Sequence, residues 1–257
     1  MKIKKFKYYK DQDYSYICEG IDIDLKNRKV SINLDHENGL DTSIINNPTY
    51  YKIGDIDVIS IFKRKKYEGG DGNPLLYALK GINDWKLENF DVKILLKQFV
   101  RISEKIDQAY DTIIKIPSDN ELNNIFMSRL NKILRCDNKI NLLLSKLDKE
   151  VVWENGVDFK NMSDKEIKTI TKSFNEMEDD CFSFKYIPTN LRKYIKKIYK
   201  DNWISDELDI ADKINNKNIL ILDDTISSGS TISLFTEDII RMYAPKKITV
   251  ITLFSKI

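Results

Sequence analysis

The sequence predicts an α/β fold: a central, mostly parallel sheet flanked by helices, with a β-rich N-terminal region ahead of it and a mostly helical insertion inside it. Residues 219–222, Ile-Leu-Ile-Leu, form the unbroken apolar run that a strand needs when both its faces are covered, and helical periodicity sets in at Ile232. Residues 111–116 make a second short strand closed by Pro117, after which Ser118-Asp119-Asn120-Glu121 has the spacing of a capping box at a helix start. Residues 1–64 instead alternate with period two between turn clusters.

Taken in order, the alternating stretches 14–18, 29–34 and 50–62 read as strands, separated by turns such as Glu37-Asn38-Gly39 and Gly54-Asp55. The basic run 63–66 beside Tyr67 reads as a solvated strand end, and Glu68-Gly69-Gly70-Asp71-Gly72-Asn73-Pro74 as a boundary or mobile loop. That break sets a β-rich N-terminal region over 1–66 against a core over 75–257. Residues 75–82 form a short helix ending near Gly81. Residues 91–109 are amphipathic, with Val92, Leu95, Leu96, Phe99, Val100, Ile102 and Ile106 on one face. The helix capped at Ser118 runs to about Arg135. Residues 136–216 then read as an insertion with helices at 138–147, 163–177, 191–199 and 205–214, the second opened by a Ser163/Glu166 capping box. Residues 247–253 close the chain as a strand.

Composition narrows the function classes. The chain has 257 residues, 42% of them hydrophobic and 32% charged, enough apolar residues for a sizeable core. A formal charge of +2 provides no global basic field, so nucleic acid is not indicated as a partner. Cys18, Cys136 and Cys181 are odd in number and far apart, which suits a reducing cytoplasm and makes neither a disulfide framework nor a paired-cysteine metal site. The single histidine, His36, sits among Asp35, Glu37 and Asn38 and reads as a solvated loop residue rather than a catalytic base. Glu176, Glu178, Asp179 and Asp180 read as a solvated acidic helix end rather than a metal site. No apolar run reaches membrane-spanning length and the N-terminus lacks a signal-peptide core, so a cytoplasmic protein without a membrane partner is expected.

The chemistry concentrates between Asn218 and Thr231. Asp223 and Asp224 follow the apolar run, where the strand would leave its sheet, and Thr225, Ile226, Ser227, Ser228, Gly229, Ser230 and Thr231 lead into the helix. The carboxylates can accept hydrogen bonds from ribose hydroxyls, while loop amides and the positive helix end hold a phosphate. An ordinary corner whose Ser and Thr merely cap a helix leaves two adjacent acids at a buried strand end unexplained. No Gly-x-x-x-x-Gly-Lys-Ser/Thr loop and no Gly-x-Gly-x-x-Gly turn offers a competing phosphate site.

This stretch resembles the 5-phosphoribosyl-1-pyrophosphate (PRPP) motif of the type I phosphoribosyltransferases, with Thr225 where that family usually carries an aliphatic residue. The order of Leu79-Lys80-Gly81, a long helix, the 111–117 strand and a helix containing Arg129 is similar to the ComF-like competence branch. That branch's N-terminal zinc cysteines are absent, and its Arg-Gly-Phe-Asn element is not intact around Arg129. The resemblance spans 75–135 and 217–257. It implies a type I phosphoribosyltransferase-like core that transfers ribose 5-phosphate from PRPP to a small-molecule nucleophile, with Mg²⁺ as cofactor and pyrophosphate released. On that implication Asp223 and Asp224 are catalytic, holding the ribose hydroxyls and, directly or through water, the metal. Thr225, Ser227, Ser228, Gly229, Ser230 and Thr231 would bind the ribose 5-phosphate. Ser118, Asp119 and Asn120 would form the pyrophosphate loop, with Lys115, Lys80 and Arg129 as counter-charges and the insertion as a hood over the site. Ser227 stands where 6-oxopurine enzymes usually place an aspartate, so hypoxanthine and guanine are not the favoured acceptors. The same fold also serves regulators that bind PRPP or a nucleotide without chemistry, and a transferase using a larger pyrophosphorylated ribosyl donor is a third reading. The sequence is compatible with a homo-oligomer.

Overall fold

The structure, a computed structural model, describes residues 20–65, 73–116, 121–141, 146–200, 210–226 and 229–255. It divides into two compact units: Met1–Pro48 with Phe62–Ile102 and Ile257, and Thr49–Ile61 with Ser103–Lys256.

The first unit opens with β1 (Gly20–Asp24) and β2 (Lys29–Asn33), an antiparallel pair in which Ile21 opposes Ile32 and Ile23 opposes Val30. The short β3 (Leu40–Asp41) follows. Between the segments of this unit the chain forms β4 (Thr49–Ile53) and β5 (Ile56–Arg64), which belong to the second unit up to Ile61 and make a hairpin around Gly54-Asp55, with Gly54 at φ 58°, the left-handed conformation such a turn requires. Next come α1 (Asn73–Lys80), β6 (Lys86–Leu87), which runs parallel to β2, and α2 (Asn89–Ser103). Asp91, buried in the first turn of α2, accepts the Ile32 N–H at 3.2 Å, and burial pushes its carboxyl above the usual range. His36 keeps to its loop: Nδ1 accepts the Asn38 N–H at 3.1 Å, which leaves Nε2 to donate to Asp22 at 2.9 Å.

The second unit holds β7 (Thr112–Lys115), α3 (Glu121–Leu134), β8 (Asn138–Asn141), α4 (Lys149–Asn155), α5 (Asp164–Asn175), α6 (Ile210–Ile214), β9 (Asn218–Thr225), α7 (Ser230–Met242) and β10 (Lys247–Phe254). Its sheet runs β4-β5-β10-β9-β7-β8, and the β10–β9, β9–β7 and β7–β8 pairs are parallel. Ser60 on β5 and Thr252 on β10 join their hydroxyls at 2.8 Å. Ile219, Leu220, Ile221 and Leu222 are all fully buried, as a strand covered on both faces must be, and each contributes roughly 1.5–3 kcal/mol of burial free energy. Alternation divides them. Ile219 and Ile221 share a cluster with Ile114, Ile140, Val250 and the α7 residues Ile232, Phe235 and Ile239. Leu220 and Leu222 point the other way, towards α3, which packs on β7 and β9 with Phe126, Met127 and Leu130 inward. Among the described residues no helix is long and apolar enough to cross a membrane.

Several expectations change. Where a helix is expected over 138–147, residues 142–145 lie outside the described residues and 138–141 are instead β8, whose Ile140 is fully buried opposite Ile114. Directly after β7 and α3 it completes a βαβ unit, and parallel pairing overrides a weak local preference. The core therefore extends past 136 into the expected insertion. The long helix stops at Ser103 rather than 109, because Ser103 O accepts the Ile106 N–H in a closing turn. The 191–199 helix is a 3-10 segment, Thr189–Tyr194, followed by chain whose Ile195 and Tyr199 bridge to Val157 and Lys146. The last insertion helix is Ile210–Ile214, with 201–209 outside the described residues. The Ser163/Glu166 capping box of α5 is present, with Ser163 Oγ accepting the Glu166 N–H and Glu166 accepting the Ser163 N–H. The units divide differently from 1–66 and 75–257: α1 and most of α2 cluster with the N-terminal strands, while Thr49–Ile61 joins the core because β5 is hydrogen-bonded to β10. The 14–18 strand and residues 68–72 of the expected boundary lie outside the described residues, while Asn73 and Pro74 open α1.

Candidate functional site

Strand order locates the site. From β7 the chain crosses through α3 to β8 on one side; from β9 it crosses through α7 to β10 on the other. The carboxyl ends of β7 and β9, adjacent and paired from Thr112↔Ile219 to Lys115↔Leu222, are thus a topological switch point. Open parallel sheets bind ligands there, because the two following loops diverge and leave a crevice between two helix N-termini.

Asp223 and Asp224 stand at that end of β9. The Asp224 N–H donates to Asp223 Oδ1 at 2.9 Å, so one acid braces the backbone of the other. Asp224 is 6% exposed and, by the alternation along β9, faces the α3 side. Asp223 faces the α7 side, near Tyr199 of the insertion. Burial, then the negative charges of Asp223 and Asp238, raises the Tyr199 phenol above its ordinary range. Tyr199 also packs edge-on against Phe235 of α7, ring centroids 6.3 Å apart. The insertion thus packs on α7 through a buried ring that feels the Asp223 charge and that no feature of the sequence singled out.

Beyond the acids, Thr225 ends β9 with its hydroxyl buried and unpartnered. Gly229 precedes α7 at φ 79°, ψ −1°, a left-handed conformation that favours glycine. A Cβ there would lie 3.0 Å from both Cδ1 and Cγ2 of Ile53, so the β4–β5 hairpin fills the space behind the loop. No side chain caps α7 at Gly229, and Gly229 O accepts the first helical N–H, from Ser233, at 2.8 Å. Ser230 and Thr231 occupy the first turn of α7, whose amides favour an anion. Ser227 and Ser228 lie outside the described residues, as do Ser118, Asp119 and Asn120 of the expected pyrophosphate loop.

Lys115 ends β7 on the other side of the crevice. Its ammonium donates to Asn124 Oδ1 at 2.5 Å, Asn124 in turn donates to Glu121 at 3.1 Å, and burial lowers the Lys115 pKa. Arg129 lies on the exposed outer face of α3, lining a groove with Glu121, Asn124, Ser128 and Lys132. Lys80 closes α1 in the other compact unit. The structure therefore brings Asp223, Asp224, Thr225, Gly229 and Lys115 to one end of the sheet and does not turn Arg129 inward.

No three His, Cys, Asp or Glu side chains among the described residues gather into a metal site, the acidic stretch 176–180 included. Two adjacent carboxylates do suit a hydrated Mg²⁺ that takes its remaining ligands from water and a diphosphate, since Mg²⁺ dehydrates reluctantly. The acid pair fits such a cation as a shared ligand rather than as a cage.

The insertion's aromatic residues pack on one another. Trp153 meets Phe159 and Phe174 edge-on at 4.8 and 5.0 Å, and Phe182 lies between Phe174 and Phe184. Phe174 and Phe182 belong to the same hydrophobic cluster as Ile219 and Ile221, and Trp153, Phe159 and Phe184 pack against it; Trp203 lies outside the described residues.

No family model matches the chain, and no curated protein matches it. Solved structures similar to it include adenine phosphoribosyltransferase from Leishmania tarentolae, at 9% identity and a TM-score of 0.34 over 92% of this chain and 94% of that one. Another is adenine phosphoribosyltransferase from Trypanosoma brucei in complex with AMP, pyrophosphate and ribose-5-phosphate, at 10% identity and a TM-score of 0.27 over 92% and 86%. At scores this low the likeness carries no weight of its own; the strand order and the acid pair stand on this chain's residues.

Proposed function

We propose that the protein is a phosphoribosyltransferase that moves ribose 5-phosphate from PRPP to a small-molecule nucleophile other than a 6-oxopurine. The observation that carries the reading is the acid pair Asp223-Asp224 at the switch point between β7 and β9, one loop away from a left-handed glycine and the N-terminus of α7. The α7 amides hold the 5-phosphate, and Asp224 orients the ribose hydroxyls. The acceptor's lone pair forms the new bond at C1 while the C1–O bond breaks and its electron pair leaves on pyrophosphate. The transition state carries positive charge on the ribose ring, so carboxylates fixed beside it stabilise the step. Mg²⁺, when bound with the donor, neutralises charge on the leaving diphosphate. Lys115 supplies a positive group at the end of β7 where that diphosphate would lie. The insertion, whose Tyr199 feels the charge of Asp223 and packs on Phe235 of α7, would act as a hood that chooses the acceptor. The ComF-like branch is the nearest within the superfamily on the motifs at 79–81 and 111–117.

Incubation with PRPP, Mg²⁺ and a panel of nucleobases and nicotinamide-type acceptors should release pyrophosphate with at least one of them. Asp224→Asn should lower turnover or PRPP affinity by about 10–100-fold, the scale of a charged hydrogen bond. PRPP binding by calorimetry without pyrophosphate release from any acceptor would identify a regulator instead. A variant equal to wild type would remove the site assignment.

A further inference from the structure

Asn123 is fully buried, and neither its Nδ2 nor its Oδ1 has a hydrogen-bond partner. Among the described residues it is the only side-chain amide orphaned at both its nitrogen and its oxygen. Natural cores avoid this, since each unpaired buried group costs free energy, and such a group in a folded protein demands a reason. Its position supplies one. Asn123 belongs to the inward stripe of α3 with Phe126, Met127 and Leu130, the face that packs on β7 and β9. It is the first residue of that stripe. Because α3 returns from the carboxyl end of β7 to start β8, its first turn covers the carboxyl ends of β7 and β9, on the face of the sheet to which Asp224 points.

The chemistry of the missing partner is constrained. A phosphate oxygen only accepts and would leave Oδ1 bare; a cation would satisfy Oδ1 and leave Nδ2 bare. A vicinal diol satisfies both: one hydroxyl donates to Oδ1, and the other accepts from Nδ2 while giving its own proton to Asp224. We infer that Asn123 is a ribose-binding residue of the donor site, its carboxamide pairing with the 2,3-diol and so discriminating ribose from 2-deoxyribose. This rests on the proposed donor site. The carboxamide is sealed from solvent without ligand, so the pairing requires a rotamer change of Asn123 on binding. The orphaned amide is then a cost carried by the free protein and relieved in the complex, a pattern common at functional sites.

The test measures ribose 5-phosphate and 2-deoxyribose 5-phosphate by calorimetry on wild type and Asn123→Leu, with thermal melts of both proteins in the absence of ligand. Wild type should prefer the ribose compound by about tenfold or more, the effect of leaving a buried polar group unpaired. Asn123→Leu should bind the two within about twofold, and should melt at or above the wild-type temperature, because an apolar side chain of similar size removes both orphans. A structural asparagine would give the opposite melt: a loss of stability with sugar preference intact. Either an unchanged preference in Asn123→Leu or a lower ligand-free melting temperature overturns the inference while leaving the donor site standing. Wild type that binds neither sugar phosphate overturns the donor site itself. Should the leucine variant fail to fold, Asn123→Ala removes the same two groups and reads the same preference.

Discussion

Gly229 shows how one residue ties the start of α7 to a hairpin about 175 positions earlier in the chain. Its φ of 79° costs an L-residue roughly 1–2 kcal/mol, and the direction a Cβ would take is filled by Ile53 at 3.0 Å. Gly229→Ala should therefore be destabilising on two separate counts, strain in the backbone and overlap with Ile53. Truncating the neighbour separates them. In an Ile53→Ala background the overlap is gone and only the strain remains, so the double variant should be more stable than the sum of the single losses by about 0.5–3 kcal/mol. Chemical denaturation of the four proteins checks this, and strictly additive losses would show that the loop yields without touching the hairpin. Asn123 and Tyr199 belong to the same scale. A polar residue on the buried stripe of a helix is a signal that the sequence contained, at the i−3 position from Phe126. Tyr199 left none, because its packing on Phe235 of α7 joins parts of the chain that only the tertiary fold brings together.

At the level of elements, what was legible was what local pattern dictates. The unbroken apolar run at 219–222, the acids after it and the helix from Ser230 were visible because burial on both faces, charge at a strand end and 3.6-residue periodicity all write themselves into adjacent residues. The short strand β8 was not, because Asn138-Lys139-Ile140-Asn141 has no strong preference and becomes a strand by pairing with β7. Nor was the pairing of the β4–β5 hairpin with β10, which joins segments nearly 200 residues apart. The contact between α2 and β2 is of the same long-range kind and makes a pH prediction. Asp91 accepts the Ile32 N–H, and burial raises its carboxyl pKa on folding. A raised carboxyl favours the folded state while protonated, and that contribution is lost as pH rises through the folded-state value. Asp91→Asn keeps the acceptor without the charge, so at pH 7 it should be more stable than wild type. The advantage should shrink to nothing as pH falls through the carboxylate range. Urea melts from pH 7 to pH 3 read this directly. A variant less stable than wild type at pH 7 would mean that the charge's favourable position in the first turn of α2 outweighs its burial.

At the level of the whole molecule, the two compact units hold different features. The switch point, the acid pair, Gly229 and Asn123 all belong to the unit of Thr49–Ile61 and Ser103–Lys256, and Asp91 belongs to the other. Donor binding acts on whichever cooperative transition unfolds the site. A ligand that binds only the folded state stabilises it by about 2.7 kcal/mol at 100 times its dissociation constant, a shift of roughly 5–10 °C for a unit of this size. Scanning calorimetry with saturating PRPP and Mg²⁺ should therefore show one transition moved upward by that amount. Where the units melt separately, the transition lowered by Ile53→Ala should be the one the donor raises, and the one that Asp91→Asn shifts should stay in place. Ribose 5-phosphate should move the same transition by less at equal concentration, since it lacks the diphosphate that in the proposed site would pair with Lys115 and Mg²⁺. If PRPP leaves every transition where it was, the crevice at the ends of β7 and β9 holds no donor, and the acid pair has a structural role alone.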